Sequence, residues 1–191
     1  MNMNLIVGLG NPGRAYAHNR HNVGFRCVNY LGKVHDISLK QRQCQAQIGT
    51  GLIGNTEVVL AKPRTFMNLS GKSVKSLMQR FRVTPSDIVV IHDDLDLPLG
   101  RLKITQKGGS AGHKGIASII QQLGTDQFLR LRLGIGKPEP SEDTVDYVLR
   151  PFRSGELKLR NEVIARAAEA IEVILTEGVE AAQNRFHKSE P

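Results

Sequence analysis

Short apolar runs alternate along this chain with longer segments whose apolar residues recur every three or four positions. The first pattern is typical of buried strands, and the second of helices that pack along one side. The apolar runs predict strands at 3–7, near 44–51, near 56–61, at 88–91, near 101–106 and at 129–135. The three-and-four spacing predicts helices at about 23–34, 69–82, 116–123 and 156–176. This alternation predicts an α/β fold in which a twisted mixed, largely parallel β-sheet is covered by helices on both faces.

The length of 191 residues is enough for one well-cored α/β domain and short for two. No repeat, low-complexity tract or linker divides the chain, so we expect a single domain, 1–191. No apolar run approaches the roughly 20 residues that span a bilayer. The two cysteines, Cys27 and Cys44, occur in apparently regular segments without metal-binding or Cys-x-x-Cys spacing, which favours reduced packing residues. We therefore expect a cytoplasmic protein that does not enter a membrane.

The net charge of +8 is distributed unevenly. Residues 1–82 contain twelve Lys and Arg against two acids, and residues 101–115 add four bases and no acid. From Glu139 onward the acids outnumber the bases by eleven to seven. A strongly cationic part beside an ordinary mixed surface favours a polyanionic partner, of which nucleic acid is the usual case.

Four loops that follow predicted strands carry unusual residues. Binding sites in sheets of this kind gather at the carboxyl ends of strands, so the loops after Val7, Ala61, Ile91 and Gln106 are the expected location. Their polar and aromatic residues are Asn11, Tyr16 and His21; Phe66 and Asn68; His92, Asp93, Asp94 and Asp96; and the glycine-rich segment 107–115.

The segment Gly8–Gly13 matches the dinucleotide-binding pattern G-x-G-x-x-G. That pattern requires a following helix and an acidic residue at the end of a second strand about 20 residues later. Here residues 14–22 are polar and lack helical periodicity, and Asp36 follows a helical pattern. We therefore interpret the glycines as a turn and reject a nucleotide cofactor.

His21 is the best candidate for a general base, because imidazole titrates near neutral pH and accepts a proton when a carboxylate orients it. Asp93 begins a loop directly after an apolar strand and is the natural partner. The alternatives are a loop histidine bonded to nearby backbone and aspartates that only form turns. Asn68 is a candidate amide donor to a carbonyl or oxyanion, or else the cap of the following helix. Phe66 is a core residue by default, but an exposed Phe would suit stacking.

Two other kinds of site fit the sequence less well. Gly108–Gly112 reads G-x-S-x-G, but a serine nucleophile at Ser110 needs a later histidine. His113 is too close in sequence, and His187 lies near an expected frayed terminus. The glycine-rich loop more readily presents backbone N–H groups to a phosphate. His92 with Asp94 and Asp96 lacks the spacing of a specific metal site, so we expect no required metal.

The loops together resemble the bacterial peptidyl-tRNA hydrolase family. The resemblance rests on ordered motifs, which are G-L-G-N-P-G with R-H-N-V-G, F-M-N-L-S-G, H-D-D-L-D-L-P-L-G, G-x-x-G-H-x-G and L-R-L-G-I-G-K-P. It implies a monomeric enzyme without a cofactor that cleaves the ester joining a peptide to tRNA and so recycles the tRNA. It also implies that His21 activates water, that Asp93 holds His21 in its basic form, and that Asn11 reads the amide of an N-blocked substrate.

The same resemblance implies residues that bind the substrate. Tyr16, Phe66 and Asn68 would line the site near the tRNA end and the peptide, and Asn68 would also stabilise charge on the ester carbonyl. Lys103 and Arg132 match basic positions that contact tRNA phosphate. The chain departs from the family at Lys114, where an asparagine is frequent, and at Thr105, where a second basic residue is frequent. Lysine cannot accept a hydrogen bond, so we expect Lys114 to contact phosphate.

The charge asymmetry also leaves open a protein that binds RNA without turnover. The intact His21, Asp93, Asn11 and Asn68 favour the enzyme.

Overall fold

A seven-stranded sheet forms the centre of the computed structural model, which describes residues 3–187. Its strands are β1 (Asn4–Gly8), β2 (Gln41–Gln43), β3 (Ala46–Ile53), β4 (Thr56–Pro63), β5 (Ile88–Asp94), β6 (Leu102–Thr105) and β7 (Leu129–Gly134). They lie in the order β2-β3-β4-β1-β5-β7-β6. The four central strands β4, β1, β5 and β7 are parallel, while β3 and β6 are antiparallel to their neighbours. The mixed, largely parallel sheet is therefore confirmed.

The helices are α1 (Val23–Val34), α2 (Ser70–Phe81), α3 (Lys114–Leu123), α4 (Thr144–Leu149), α5 (Leu157–Glu177) and α6 (Val179–Phe186). The apolar sides of α1, α5 and α6 pack on one face of the sheet, and those of α2 and α3 pack on the other. Helices on both faces were expected, and this too is confirmed. Both ends of the predicted domain, residues 1–2 and 188–191, lie outside the described residues. No helix within 3–187 is long and apolar enough to cross a membrane.

The prediction of a strand near 44–51 was wrong at its start. Cys44 and Gln45 form the two-residue turn between β2 and β3, both with left-handed backbone at φ 51° and 56°. Such turns ordinarily contain Asn and Gly, so the sequence carried no hairpin signal here. Cys44 is therefore a half-buried turn residue, while Cys27 is buried in α1, where burial raises the pKa of its thiol to about 12.

The fourth loop does not leave the sheet from the expected edge. Because β6 is antiparallel to β7, the strand ends at the edge opposite the carboxyl ends of β1, β4, β5 and β7. The glycine-rich loop then returns along the face of β7, where Arg130 Nη1 donates to Gly109 O over 2.8 Å. It reaches the carboxyl edge at His113, immediately before α3.

The C-terminal part of the described chain is docked rather than frayed, contrary to expectation. The backbone N–H of Ile104 in β6 donates to His187 Nε2 over 2.9 Å, and Gln183 Nε2 donates to Ile104 O over 3.1 Å. Side chains at the end of α6 thus satisfy the backbone of the outermost strand.

A close contact between glycines sets α1 against the sheet. A Cβ atom on Gly24 would lie 2.4 Å from Ile91 O and 2.6 Å from Leu9 N, and one on Gly8 would lie 2.2 Å from Gly24 O. Only glycine allows this approach at either position. The contact places the start of α1, and the turn just before it that contains His21, directly above the ends of β1 and β5.

We expect Gly24→Ala to lower the free energy of unfolding by about 1–3 kcal/mol, because the added methyl group must push backbone atoms apart. Urea denaturation measures the loss. Gly155→Ala is the matched control, since a Cβ there meets nothing within 4 Å. Equal stability of the two variants would contradict the close-contact account.

Candidate active site

A cavity of about 770 Å³ opens at the carboxyl edge of the sheet. Seven of the residues predicted for the site line it, namely Asn11, His21, Phe66, Asn68, Asp93, Lys114 and Arg132. Tyr16 and Lys103 do not. Tyr16 is half-buried in the short 3-10 turn Arg14–Tyr16, and Lys103 lies on β6 opposite Arg132. The structure therefore brings the proposed catalytic residues together and leaves two proposed substrate contacts outside the cavity.

Asp93 joins two histidines at the centre of this cavity. Its carboxylate is buried near the end of β5, and both of its oxygens lie 2.9 Å from His21 Nδ1. One of them, Oδ1, also lies 2.9 Å from His113 Nε2. His21 comes from the α1 side of the sheet and His113 from the α3 side, so the carboxylate connects the two layers of helices.

The protonation of this group follows from the bonds of His113. Its Nδ1 accepts hydrogen bonds from the N–H groups of Gly115 and Ile116, over 3.2 and 3.3 Å, and so caps α3. The proton of neutral His113 must therefore sit on Nε2, which donates it to Asp93. An ionised carboxylate only accepts, so His21 Nδ1 also donates to Asp93. His21 Nε2, which has no hydrogen-bond partner among residues 3–187, is left as the atom able to accept a proton.

The electrostatics of the pair agree with this assignment. Burial alone would lower the pKa of His21, but the charge and hydrogen bond of Asp93 outweigh burial and raise this pKa above 6.5. The positive charge of Lys114 offsets part of that increase. Burial alone would raise the pKa of Asp93, but His21 and His113 hold it well below its usual range. The carboxylate is therefore ionised, as a partner for the imidazole requires.

His92 supports the site without titrating. Its Nδ1 donates to Asp93 O over 2.7 Å, and its ring stands edge-on to His113 with centroids 4.7 Å apart. Burial, reinforced by the neighbouring His113, lowers the pKa of His92 to about 3. This imidazole stays neutral and fixes the strand end that presents Asp93.

The ligand atoms of His21, Asp93 and His113 lie within 4.8 Å of one another, a spacing that could hold a metal ion. The hydrogen bonds argue against that use. A neutral His113 that bound metal through Nε2 would carry its proton on Nδ1, which already accepts from two backbone N–H groups. The hydrogen bonds that both histidines donate to Asp93 account for this cluster instead.

Asn22 holds Asn11 and was missed by sequence reasoning. The Asn22 side chain accepts from Asn11 N and donates to Asn11 O, both over 2.9 Å. The side-chain oxygen of Asn11 accepts from Met67 N over 2.8 Å. With that oxygen occupied, Asn11 presents its NH₂ group as a donor at the cavity wall. Sequence alone showed only that Asn22 follows His21.

A buried arginine anchors the turn that carries His21. The Arg20 guanidinium forms an ion pair with Glu156 over 2.8 Å and lies over the rings of Tyr147 and Phe152, at 4.5 and 4.9 Å from their centroids. Its backbone N–H donates to Arg150 O over 2.9 Å. The turn is thus tied to α4 and to the segment before α5, which limits the movement of His21.

The structure decides between the alternative roles of Phe66 and Asn68. Phe66 is 57% exposed whereas Met67 is 4% exposed, so the phenylalanine faces the cavity and the methionine belongs to the core. Asn68 does not cap α2. That helix begins at Ser70 without a side-chain cap, and the exposed Asn68 amide makes no hydrogen bond with any described residue.

The glycine-rich loop forms one wall of the cavity and is held by few bonds. Besides the bond from Arg130, Gly108 N donates to Asp126 Oδ2 over 3.2 Å. Within residues 3–187, neither histidine that follows Ser110 is available as the base of a serine nucleophile. His113 is committed to Asp93 and α3, and His187 to β6.

Both cations and apolar side chains line the cavity. Arg132 Nε lies 2.5 Å from Asp94 Oδ2, which fixes the guanidinium. Lys107 and Lys114 are exposed and form no ion pair within residues 3–187. Part of the apolar lining comes from α4, through Val145, Val148 and Leu149. A helix of six residues is too short to give a periodic signal, so the sequence did not reveal this wall.

Comparisons with known proteins agree with the geometry. The sequence model of the family described as peptidyl-tRNA hydrolase matches residues 5–191. A peptidyl-tRNA hydrolase of Dehalococcoides mccartyi is 47% identical over 97% of this chain and 100% of its own, and one of Chloroflexus aggregans is 46% identical over 96% and 98%. The crystal structure of peptidyl-tRNA hydrolase from Acinetobacter baumannii matches with a TM-score of 0.93 at 36% identity, covering 100% of this chain and 97% of that one. The predicted resemblance is confirmed, and the chain belongs to the peptidyl-tRNA hydrolase family.

Proposed function

We propose that the chain hydrolyses the ester of peptidyl-tRNA with His21 as general base and Asp93 as the group that orients it. The observation that carries the proposal is the buried carboxylate shared by His21 and His113, which leaves His21 Nε2 unprotonated and without a hydrogen-bond partner among the described residues. A general base of this kind raises the reaction rate by a factor of about 10²–10⁴. A side chain makes every proton transfer in the proposed cleavage of the ester, so the reaction uses no cofactor.

His21 Nε2 takes a proton from a water molecule as its oxygen attacks the ester carbonyl. The carbonyl oxygen becomes negatively charged, and the resulting imidazolium is stabilised by Asp93. As the tetrahedral intermediate collapses, the bond from carbon to the ribose oxygen breaks. The His21 proton then passes to that oxygen. The products are a peptide with a free carboxylic acid, which loses its proton to solvent, and tRNA with a free terminal hydroxyl.

Asn11 and Asn68 supply hydrogen bonds to the substrate in this scheme. The NH₂ group of Asn11 donates to the carbonyl of the amide next to the esterified residue, which an N-blocked substrate has and a free aminoacyl-tRNA lacks. The amide of Asn68, which makes no hydrogen bond with any residue of 3–187, donates to the ester carbonyl oxygen as charge develops there. Phe66, exposed beside them, packs against the terminal base or the peptide.

Basic side chains position the tRNA. Lys103 and Arg132 face each other on β6 and β7 and bind phosphate, and Lys114 adds a cation close enough to His21 for its charge to act on the imidazole. Tyr16 lies outside the cavity and contacts the tRNA end at its rim. Contacts of this kind weaken as salt rises.

We further propose that the protein works as a monomer in the cytoplasm. All residues assigned to catalysis come from one chain, so the reaction needs no second copy. The substrate arises from translation, which places the reaction where tRNA is used.

The decisive experiment follows ester cleavage of N-acetyl-aminoacyl-tRNA. We expect turnover by the wild type and a loss of about 10²–10⁴ in rate for His21→Ala, with tRNA affinity retained. Affinity without turnover in the wild type would indicate an RNA-binding protein instead. Full activity of His21→Ala would reject His21 as the base.

The pH dependence tests the role of Asp93. Only neutral His21 accepts a proton, so kcat/KM should fall as the pH drops through a pKa above 6.5. In Asp93→Asn the imidazolium loses its partner and burial dominates, so the acid limb moves to lower pH while the maximal rate falls by up to about 10⁴. If the acid limb lies at the same pH in the wild type and in Asp93→Asn, Asp93 does not set the pKa of the base.

Asn11→Ala tests recognition of the N-blocked end. We expect about a tenfold loss in kcat/KM on N-acetyl-aminoacyl-tRNA, the effect of one hydrogen bond, and no loss in the slow cleavage of free aminoacyl-tRNA. Equal losses on both substrates would mean that Asn11 acts on the ester rather than on the amide.

A further inference from the structure

A second groove, of about 500 Å³, adjoins the catalytic cavity. Three segments form it: the turn between β2 and β3, the residues after β4, and the start of α2. Its walls include Arg42, Gln45, Arg64, Thr65, Phe66 and Leu69. Because β2 and β4 are both antiparallel to β3, these segments meet at the same carboxyl edge as the catalytic cavity.

The groove is held in place by specific bonds. Arg64 N donates to Gln45 O over 2.7 Å, and Ser73 Oγ donates to Cys44 O over 2.8 Å. These bonds tie the strained turn of β2 and β3 both to the end of β4 and to α2. The wall that carries Arg42 is therefore formed before any ligand binds.

The groove is cationic. Arg42 and Arg64 are exposed, and neither forms an ion pair with a residue in the described range 3–187. No carboxylate is among the residues that line the groove. The hydroxyl of Thr65 is buried with no hydrogen-bond partner in that range. Two exposed guanidinium groups with no ion pair in that range suit a ligand rich in carboxylate and carbonyl oxygens.

The groove continues the catalytic cavity through one side chain. Phe66 lines both, and together with Leu69 it gives the groove an apolar surface, 57% and 39% exposed. A chain that leaves the cavity past Phe66 enters the groove directly.

The order of the strands indicates which end of the substrate enters the groove. His21 and Asp93 stand above β1 and β5, and the phosphate-binding Lys103 and Arg132 lie on the β7–β6 side. The groove lies on the other side, toward β4 and β2. An ester carbonyl has the ribose of tRNA on one side and the peptide on the other, so the groove faces the peptide.

We propose that this groove binds the peptide of the substrate beyond its esterified residue, and that Arg42 and Arg64 favour peptides with acidic side chains there. The inference rests on the proposed function, since it takes its direction from the ester at His21. It adds a specificity that the catalytic residues do not provide.

The test compares pairs of N-acetylated peptidyl-tRNAs that share the tRNA and the esterified residue. In each pair, one position from the second to the fifth from the ester carries Glu or Gln, which moves the charge outward by about 3.3 Å per residue. We expect kcat/KM of the wild type to be about threefold to tenfold higher for Glu at one or more positions, the range for one or two exposed ion pairs. The preference should vanish in Arg42→Gln/Arg64→Gln. It should persist in Lys72→Gln/Lys75→Gln, which removes the same charge from an exposed part of α2 outside both cavities.

Equal kcat/KM for Glu and Gln at every position would overturn the proposal. So would a double arginine variant that keeps the preference, or one that slows both members equally, as expected if the arginines contact tRNA. Failure of the wild type to cleave N-acetyl-aminoacyl-tRNA would instead count against the proposed function. The groove is then tested by titrating the protein with the Glu peptide joined by an amide to 3′-amino-3′-deoxyadenosine. Backbone NMR shifts at Gln45 and Thr65 are expected, and their absence would reject the groove.

Discussion

The buried carboxylate of Asp93 is the constraint on which the rest of this site depends. Removing an ionised carboxylate from water costs several kcal/mol unless it is paired and hydrogen-bonded. Here His21 and His113 each donate to it, and each donation decides where a proton sits. His113 is fixed in turn by the first N–H groups of α3. The start of one helix thus fixes His113 as a donor to the carboxylate, and that carboxylate orients a histidine from the opposite side of the sheet.

The sheet gives this arrangement its direction. β1 and β5 lie side by side, and the contact between Gly8 and Gly24 sets the start of α1 against their ends. The proposed base therefore lies at the middle of the carboxyl edge, with cations on β6 and β7 to one side and the cationic groove to the other. A substrate with a polyanion on one side of an ester and a peptide on the other fits an edge organised in this way.

The long elements could be predicted from sequence because their apolar residues repeat over several turns or fill a buried strand. Helix α2, expected at 69–82, spans Ser70–Phe81. The short elements β2, α4 and α6 were not predicted. The three residues of β2 and the six residues of α4 are too few for a periodic signal, and the β2–β3 turn has Cys and Gln where Asn and Gly are usual. The antiparallel direction of β6 could not be predicted either, because it depends on which strand β6 pairs with.

Within the site, the sequence predicted residues in loops after strands that bear reactive groups, such as His21, Asp93 and Asn11, and the structure brings these three together in one cavity. Sequence reasoning missed the residues that act by holding others. Asn22 lies next to His21 in sequence, but its bonds reach Asn11, eleven residues away. His113 was weighed only as the partner of a serine, since histidine is not a usual helix cap and its bond to Asp93 spans 20 residues. Such roles arise from tertiary contacts, which a single sequence does not display.

The central claim concerns one proton, and ¹⁵N NMR of the His21 ring measures it directly. Above the pKa of His21, the account predicts a protonated Nδ1 bonded to Asp93 and an unprotonated Nε2. In Asp93→Asn this preference for one tautomer should weaken or disappear. A wild-type His21 that carries its proton on Nε2 would have no lone pair to offer water, and would contradict the account.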